Sequence, residues 1–280
     1  MISSIIFSKD RPLQLDLCLN SVCQNFPDST HNVVIYSCSP KFEDAYKKLQ
    51  QMHPNVEWWQ QSRSIFVDTL AATGSSPHDY VGFFTDDDIV YDTAPKVDNN
   101  LFGNPAVSCV SLRMGANINK RRMLGEWQID VPTVLMQASN NCICWDKSMY
   151  LYGSYWAYSL SLDGHIFRKS DLYDMLDELC LIEDKYKWAQ NPNQLEQALQ
   201  RFWPITEPLI VAPERSVVVN SPNNRVSSSH ENNASGEYFA FCEEDFLEEF
   251  FNGKKINLEL LEFDDISCPH TEIDLAGGIV

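Results

Sequence analysis

The chain has 280 residues, of which 44% are hydrophobic and 12% aromatic, which excludes disorder over most of its length. That length suits one domain of roughly 200–250 residues with a modest extension. Thirty-nine acids against 21 bases give a net charge of −18, which excludes a face that grips nucleic acid or anionic lipid mainly through phosphate charge.

The opening MISSIIFSKDRP has no basic region and no small-residue cleavage site, so it does not read as a signal peptide. No window approaches the roughly eighteen apolar residues of a membrane-spanning helix. The nine cysteines are odd in number and lack a CxxC pair, which reads as free thiols in a reducing cytoplasm. SSIIFS (3–8) is a short apolar strand, followed by a helix from Pro12 with Leu13, Leu17 and Val22 on one face. NVVIYSCS (32–39) is a β-branched strand, and 40–54 is an amphipathic helix between two prolines. VEWWQQ (56–61) predicts a strand, 64–74 a helix stopped by glycine, and YVGFFTDDDIV (80–90) an apolar strand that breaks into three aspartates. AVSCVSLRM (106–114) is a further strand. Alternation at this spacing calls for crossover connections, hence an α/β fold with a mainly parallel central sheet flanked by helices. Ligands of such sheets sit at the carboxyl ends of the strands, where the order reverses.

Past residue 115 the pattern changes. A basic cluster (Lys120, Arg121, Arg122), read as a solvated loop, precedes short apolar runs VPTVLMQ and NNCICW that suggest a smaller mixed sheet. Residues 154–172 read as a strand, a turn at Asp163-Gly164 and a helix start; helices follow at 170–182 and 193–202, the second with an asparagine cap. SVVVNS (216–221) is a last core strand before a polar loop, 223–236. Residues 237–280 hold 12 acids and two bases and form an acidic C-terminal extension. The expected organisation is a domain over 1–236, with halves 1–115 and 116–236, and an extension over 237–280.

Asp86, Asp87 and Asp88 are the sharpest feature. Adjacent carboxylates at the end of a buried strand repel one another and lose solvation unless a cation neutralises them. Mg²⁺ and Mn²⁺ take carboxylate oxygens and keep positions open for phosphate. Strand alternation would point Asp86 and Asp88 the same way, toward one metal.

The order FSKDRPLQL (7–15), VVIYSCS (33–39), SRSIFVDTL (62–70) and YVGFFTDDDIVY (80–91) resembles the GT-A nucleotide-sugar glycosyltransferases, particularly their family-2-like group. The resemblance covers roughly residues 1–230 and is best in the first 115. It implies a GT-A, Rossmann-like fold and a sugar moved from a nucleotide-diphosphate donor, most plausibly UDP-linked, to a glycan or other hydroxyl acceptor. It assigns Asp86 to the ribose or metal, Asp88 to the metal, and Asp87 to the donor. Ser8, Lys9 and Arg11 would contact the nucleotide, with Ser37, Arg63, Asp68 and, from the late loop, Arg225 beside them; Asn220 and Asn224 could reach the diphosphate. Asp163, Gly164 and His165 match the acceptor segment, and Trp156 is the first choice for stacking on a sugar. His230 would be a third metal ligand. The catalytic base is left open among Glu196, whose helix would bury it in part, Asp184 and Asp163.

Two other readings stand beside this one. A sugar-phosphate nucleotidyltransferase would need the glycine-rich phosphate loop that SSIIFSKDRP lacks. An inactive carbohydrate-binding scaffold would leave the acidic extension as a docking surface.

Overall fold

The computed structural model describes residues 1–62, 64–121, 127–128, 131–132, 135–150, 154–180, 191–202, 207–224, 235–239 and 241–280, with backbone alone at 121, 127–128, 180 and 201–202. β1 (Ile2–Lys9) is buried along all but its last residue, because both faces of the sheet are covered and the small Ser3 and Ser4 fit where packing is closest. Pro12 opens α1 (Pro12–Asn25), where a missing N–H costs nothing. Then come β2 (Ser29–Ser37), α2 (Glu43–Met52), β3 (Glu57–Gln60), α3 (Ile65–Ser75) and β4 (Tyr80–Thr85), as the alternation predicts.

After β4 come β5 (Asp88–Val90), the short α4 (Asn99–Phe102), β6 (Val107–Ser111), β7 (Lys120–Arg121) and β8 (Trp127–Gln128). The second half adds β9 (Met136–Ala138), β10 (Cys142–Asp146), β11 (His165–Arg168), α5 (Lys169–Cys180), α6 (Pro192–Phe202), β12 (Leu209–Pro213), β13 (Val218–Asn220) and α7 (Glu243–Phe251). Nine of the strands form one sheet in the order β3-β2-β1-β4-β11-β6-β12-β10-β9, in which β10 and β11 run against the rest. β1, β2 and β3 build outward in one direction and β4 lies on the other side of β1. The order therefore reverses between β1 and β4, which opens a crevice at the ends of those two strands.

Two expectations need correction. SVVVNS is not a strand of the main sheet: β13 pairs with β5 in a separate antiparallel ribbon that sets Asn220 opposite Asp88. The place next to β6 belongs to β12, whose LIVA run lies between Pro208 and Pro213. The stretch before Asp163 is a 3₁₀ turn, Tyr155–Ala157, and irregular chain rather than a strand; Trp156 and Trp145 fill the space beneath it edge to face.

The C-terminal residues are woven into this frame. α7 buries Phe246, Leu247 and Phe250, and Lys48 on α2 donates to the Phe250 carbonyl at 2.8 Å. Its acidic first turn complements the positive end of the helix. Residues 266–273 run beside β13: Asn220 N–H donates to the Pro269 carbonyl and Thr271 N–H to that of Asn220. Glu272 is buried and accepts the backbone N–H groups of Glu237, Tyr238 and Phe239 at 2.8–2.9 Å.

The asparagine cap of α6 is present: Asn191 Oδ1 accepts the Gln194 N–H at 3.0 Å, with Pro192 as the first helical residue. Asn191→Ala should cost about 1 kcal/mol in urea unfolding, and Asn191→Asp should restore it. Equal stability of wild type and the alanine variant would show that tertiary packing alone holds this helix.

Candidate active site

The chain turns sharply after Thr85, and the three aspartates part. Asp86 faces the β1–α1 turn, where it accepts hydrogen bonds from the Ser8 hydroxyl (2.9 Å), the Lys9 N–H (2.8 Å) and Arg11 Nη1 (3.0 Å). The same Arg11 nitrogen donates to Asp87 at 2.7 Å, and Nη2 donates to the Asn224 carbonyl. Gln14 fixes the Asn224 side chain at 3.1 Å. Ser8, the Lys9 backbone and Arg11 are thus turned onto the aspartates.

Asp88 is fully buried and looks the other way. Its oxygens accept the Thr85 N–H (2.8 Å) and the Asn220 amide (3.1 Å), which also reaches Asp87 at 2.9 Å. The expected pairing of Asp86 with Asp88 fails because β4 ends at Thr85 and a two-residue turn breaks the alternation. Asn220 joins Asp87 to Asp88, as Arg11 joins Asp86 to Asp87.

β11 starts at the same edge, and Asp163 precedes it. Asp163 accepts from Arg113 Nη1 at 2.7 Å, Thr85 Oγ1 at 3.3 Å and the Ser161 hydroxyl at 3.4 Å. His270, from the C-terminal segment, places Nε2 3.4 Å from Asp163 and Nδ1 3.0 Å from the Tyr155 hydroxyl. Glu196 on α6 accepts the Leu162 N–H at 3.4 Å. Among the described residues five carboxylates therefore converge on this edge, and Asp86, Asp88, Asp163 and Glu196 differ in proton affinity. Burial pushes Asp86 up to about 6 against the pull of Arg11. Burial, then Asp163 and Asp87, push Asp88 well above the usual range. Burial and Asp163 push Glu196 up to about 7, although Arg113 opposes them. Burial also works against ionised Asp163, but the His270 hydrogen bond and the charge of Arg113 outweigh it and hold that carboxyl well below the usual range.

The other expected residues divide. Ser37 ends β2 beside Lys9, and Asp68 accepts the Ser62 N–H at 2.8 Å, closing the turn before α3. His165 is a correction: it is fully buried, bonded to Ser111 at 2.8 Å and to the Ser161 N–H, and burial lowers it to about 3, so it holds the 159–163 turn and meets no acceptor. Trp156 is likewise fully buried against Trp145 and offers no face to a sugar. Gly164 has φ +69°, and a Cβ there would lie 3.1 Å from Val218, so glycine serves the packing of the two sheets. Arg63, Asp184, Arg225 and His230 lie outside the described residues.

Arg113 and His270 were missed. A lone arginine closing the apolar AVSCVSLRM run was the available signal for the first; nothing local marks the second, which arrives only through the path of residues 266–273.

The chain matches no protein-family model and no curated protein sequence. Among solved structures it is similar to S. aureus TarS, at 16% identity over 79% of this chain and 37% of that one, with a TM-score of 0.47. TarS 1–349 in complex with UDP-GlcNAc gives 16% identity, 88% and 63% coverage and a TM-score of 0.46. The mannosyltransferase PcManGT from Pyrobaculum calidifontis, in complex with GDP-Man and Mn2+, gives 11%, 77% and 58%, and 0.38. This chain thus spans less than two thirds of each of those chains. A likeness of this size carries no argument about activity, which has to come from the residues themselves.

Asp86 and Glu196 both bind protons more tightly in the folded chain than in the unfolded one. Their stabilisation is complete below their unfolded values of 3.8 and 4.5 and is lost as pH rises through about 6 and about 7. Without divalent ions the melting temperature should therefore decline across that window, and Glu196→Gln should remove the upper part of the decline. An identical slope in that variant would contradict the protonation assigned to Glu196.

Proposed function

We propose that the chain is a glycosyltransferase that moves a sugar from a nucleotide-diphosphate donor, UDP-linked by the sequence resemblance, to a hydroxyl acceptor with inversion. The observation that carries this reading is the aspartate cluster at the β1/β4 reversal, joined through Thr85 to Asp163 and the turn whose Leu162 N–H holds Glu196, a carboxyl whose proton affinity its surroundings raise. The cluster suits a diphosphate brought with a cation; Glu196 suits removal of a hydroxyl proton.

The donor set supports a divalent ion. Asp88 is fully buried and, among the described residues, its hydrogen-bond partners are Thr85 and Asn220, neither of them charged. Among the described residues no three His, Cys, Asp or Glu side chains form a complete cage. Mg²⁺ and Mn²⁺ need none, since they bind through one or two carboxylates and complete their shell with phosphate and water. Bound by Asp87 and Asp88, such an ion would serve as a Lewis acid for the leaving diphosphate.

The chain's own residues do the rest. Ser8, Lys9 and Arg11 hold Asp86 and Asp87 at the crevice, so that the donor meets a preset edge. Glu196, ionised above about pH 7, takes the proton of the acceptor hydroxyl as its oxygen bonds to the anomeric carbon. The carbon–oxygen bond to the diphosphate breaks, and its electron pair leaves with the nucleoside diphosphate. Asp163 stays ionised beside the reacting carbon, where positive charge develops. The β1–α1 turn, Lys9-Asp10-Arg11-Pro12, has no glycine to wrap a triphosphate, which weighs against a nucleotidyltransferase.

A panel of nucleotide sugars with Mn²⁺, with water or simple glycans as acceptors, should release a nucleoside diphosphate from at least one donor. Glu196→Gln should keep donor binding by calorimetry and lose roughly 10²–10⁴ in turnover. Asp88→Asn should stay folded and lose the Mn²⁺-dependent part of donor affinity. Absence of both binding and release across the panel would overturn the proposal.

A further inference from the structure

Arg113 stands two residues past the end of β6 and is only 2% exposed. Its guanidinium carbon lies 5.5 Å from the ring centre of Tyr155 and 5.7 Å from that of Tyr158. One nitrogen donates to Asp163 at 2.7 Å, while the buried Nε has no hydrogen-bond partner among the described residues. Burying a guanidinium with one donor unmet is costly, so the fold gains something by keeping it there.

What it sits beside is a single short turn that serves two carboxylates. The Ser161 hydroxyl bonds Asp163, and the N–H of Leu162, between those two residues, bonds Glu196. Two acids so close compete for one proton, and the position of the nearest cation decides between them. The direct bond of Arg113 goes to Asp163, with the Tyr155 and Tyr158 rings beside its guanidinium.

We propose that Arg113 is a positioning residue: it fixes the Asp163 carboxylate against the 161–163 turn and so leaves Glu196 as the group that exchanges a proton with the acceptor hydroxyl. This rests on the transferase reading for its role in turnover, but not for its effect on the two carboxyls. The opposed proton affinities of Asp163 and Glu196 agree with it. Among the described residues the charged and titratable groups that face Glu196 are Asp163, Arg113 and Tyr158, and His270 faces Asp163. Lysine would keep the charge but not the flat group that two aromatic rings can sandwich.

The test is a ¹³C carboxyl NMR titration of the full chain without metal, in which Glu196→Gln identifies the Glu196 signal. Wild type should show its upper step near pH 7. Loss of the cation in Arg113→Met should raise that step by at least about one pH unit, and Arg113→Lys should bring most of it back. Asp163→Asn, nearly isosteric and the variant to use if Arg113→Met does not fold, should lower the step, because repulsion disappears while Arg113 remains. In donor hydrolysis, Arg113→Met should cut kcat at least tenfold and leave KM for the nucleotide sugar within about twofold. A step that stays in place in folded Arg113→Met, or in Asp163→Asn, overturns the proposal and leaves Arg113 a packing residue. A shifted step in a protein that turns over no nucleotide sugar supports the role given to Arg113 and fails the transferase reading instead.

Discussion

Like charges crowded onto a buried sheet edge repel one another unless protons or cations intervene, and this chain crowds five there. Asp86, Asp87 and Asp88 come from the turn after β4, Asp163 from the approach to β11, and Glu196 from α6. The fold relieves them unevenly. Arg11 bridges Asp86 and Asp87, Arg113 and His270 flank Asp163, and Asp88 has only dipoles for hydrogen-bond partners among the described residues. Asp88, left without a charged partner, is therefore the seat proposed for a divalent ion carrying a diphosphate. With such an ion bound, the strongly acidic chain would need no basic surface to hold a phosphorylated donor.

The crevice exists because of strand order. β1 lies between β2 and β4, the crossovers leave it on opposite sides, and the turn residues of both strands face one gap. Small details keep it in shape. Asp10 takes a positive φ so that the chain can leave β1 and enter α1, and its carboxylate caps the Ser39 N–H after β2. Asn220 spans Thr85, Asp87 and Asp88 with one amide, and its own backbone is paired with Pro269 and Thr271. The C-terminal residues, acidic and remote in sequence, are in this way a structural part of the cluster.

Much of the first half was legible because each element there signals locally. Apolar runs of four to eight residues, a proline at the first turn of α1 and a sudden aspartate triplet are all readable from neighbours alone. What could not be read depends on partners far apart. The direction in which Asp86 and Asp88 point follows from where β4 stops, not from their spacing. Trp156 and His165 look like surface chemistry in a sequence rich in Tyr and Ser, yet both are fully buried. SVVVNS has the composition of a core strand, and only its pairing with β5 removes it from the main sheet. His270 has no local signature; the 266–273 segment must first pair alongside β13 to bring it to Asp163.

The central claim is that Asp87 and Asp88 bind a divalent ion that meets the donor's diphosphate. Anomalous diffraction at the manganese edge, from crystals grown with UDP and Mn²⁺, tests it most directly. The account predicts one strong peak at about 2.0–2.3 Å from a carboxylate oxygen of that pair, with diphosphate oxygens on its far side. A nucleotide seated in the crevice with no peak there, or a peak bound to other residues, would contradict it.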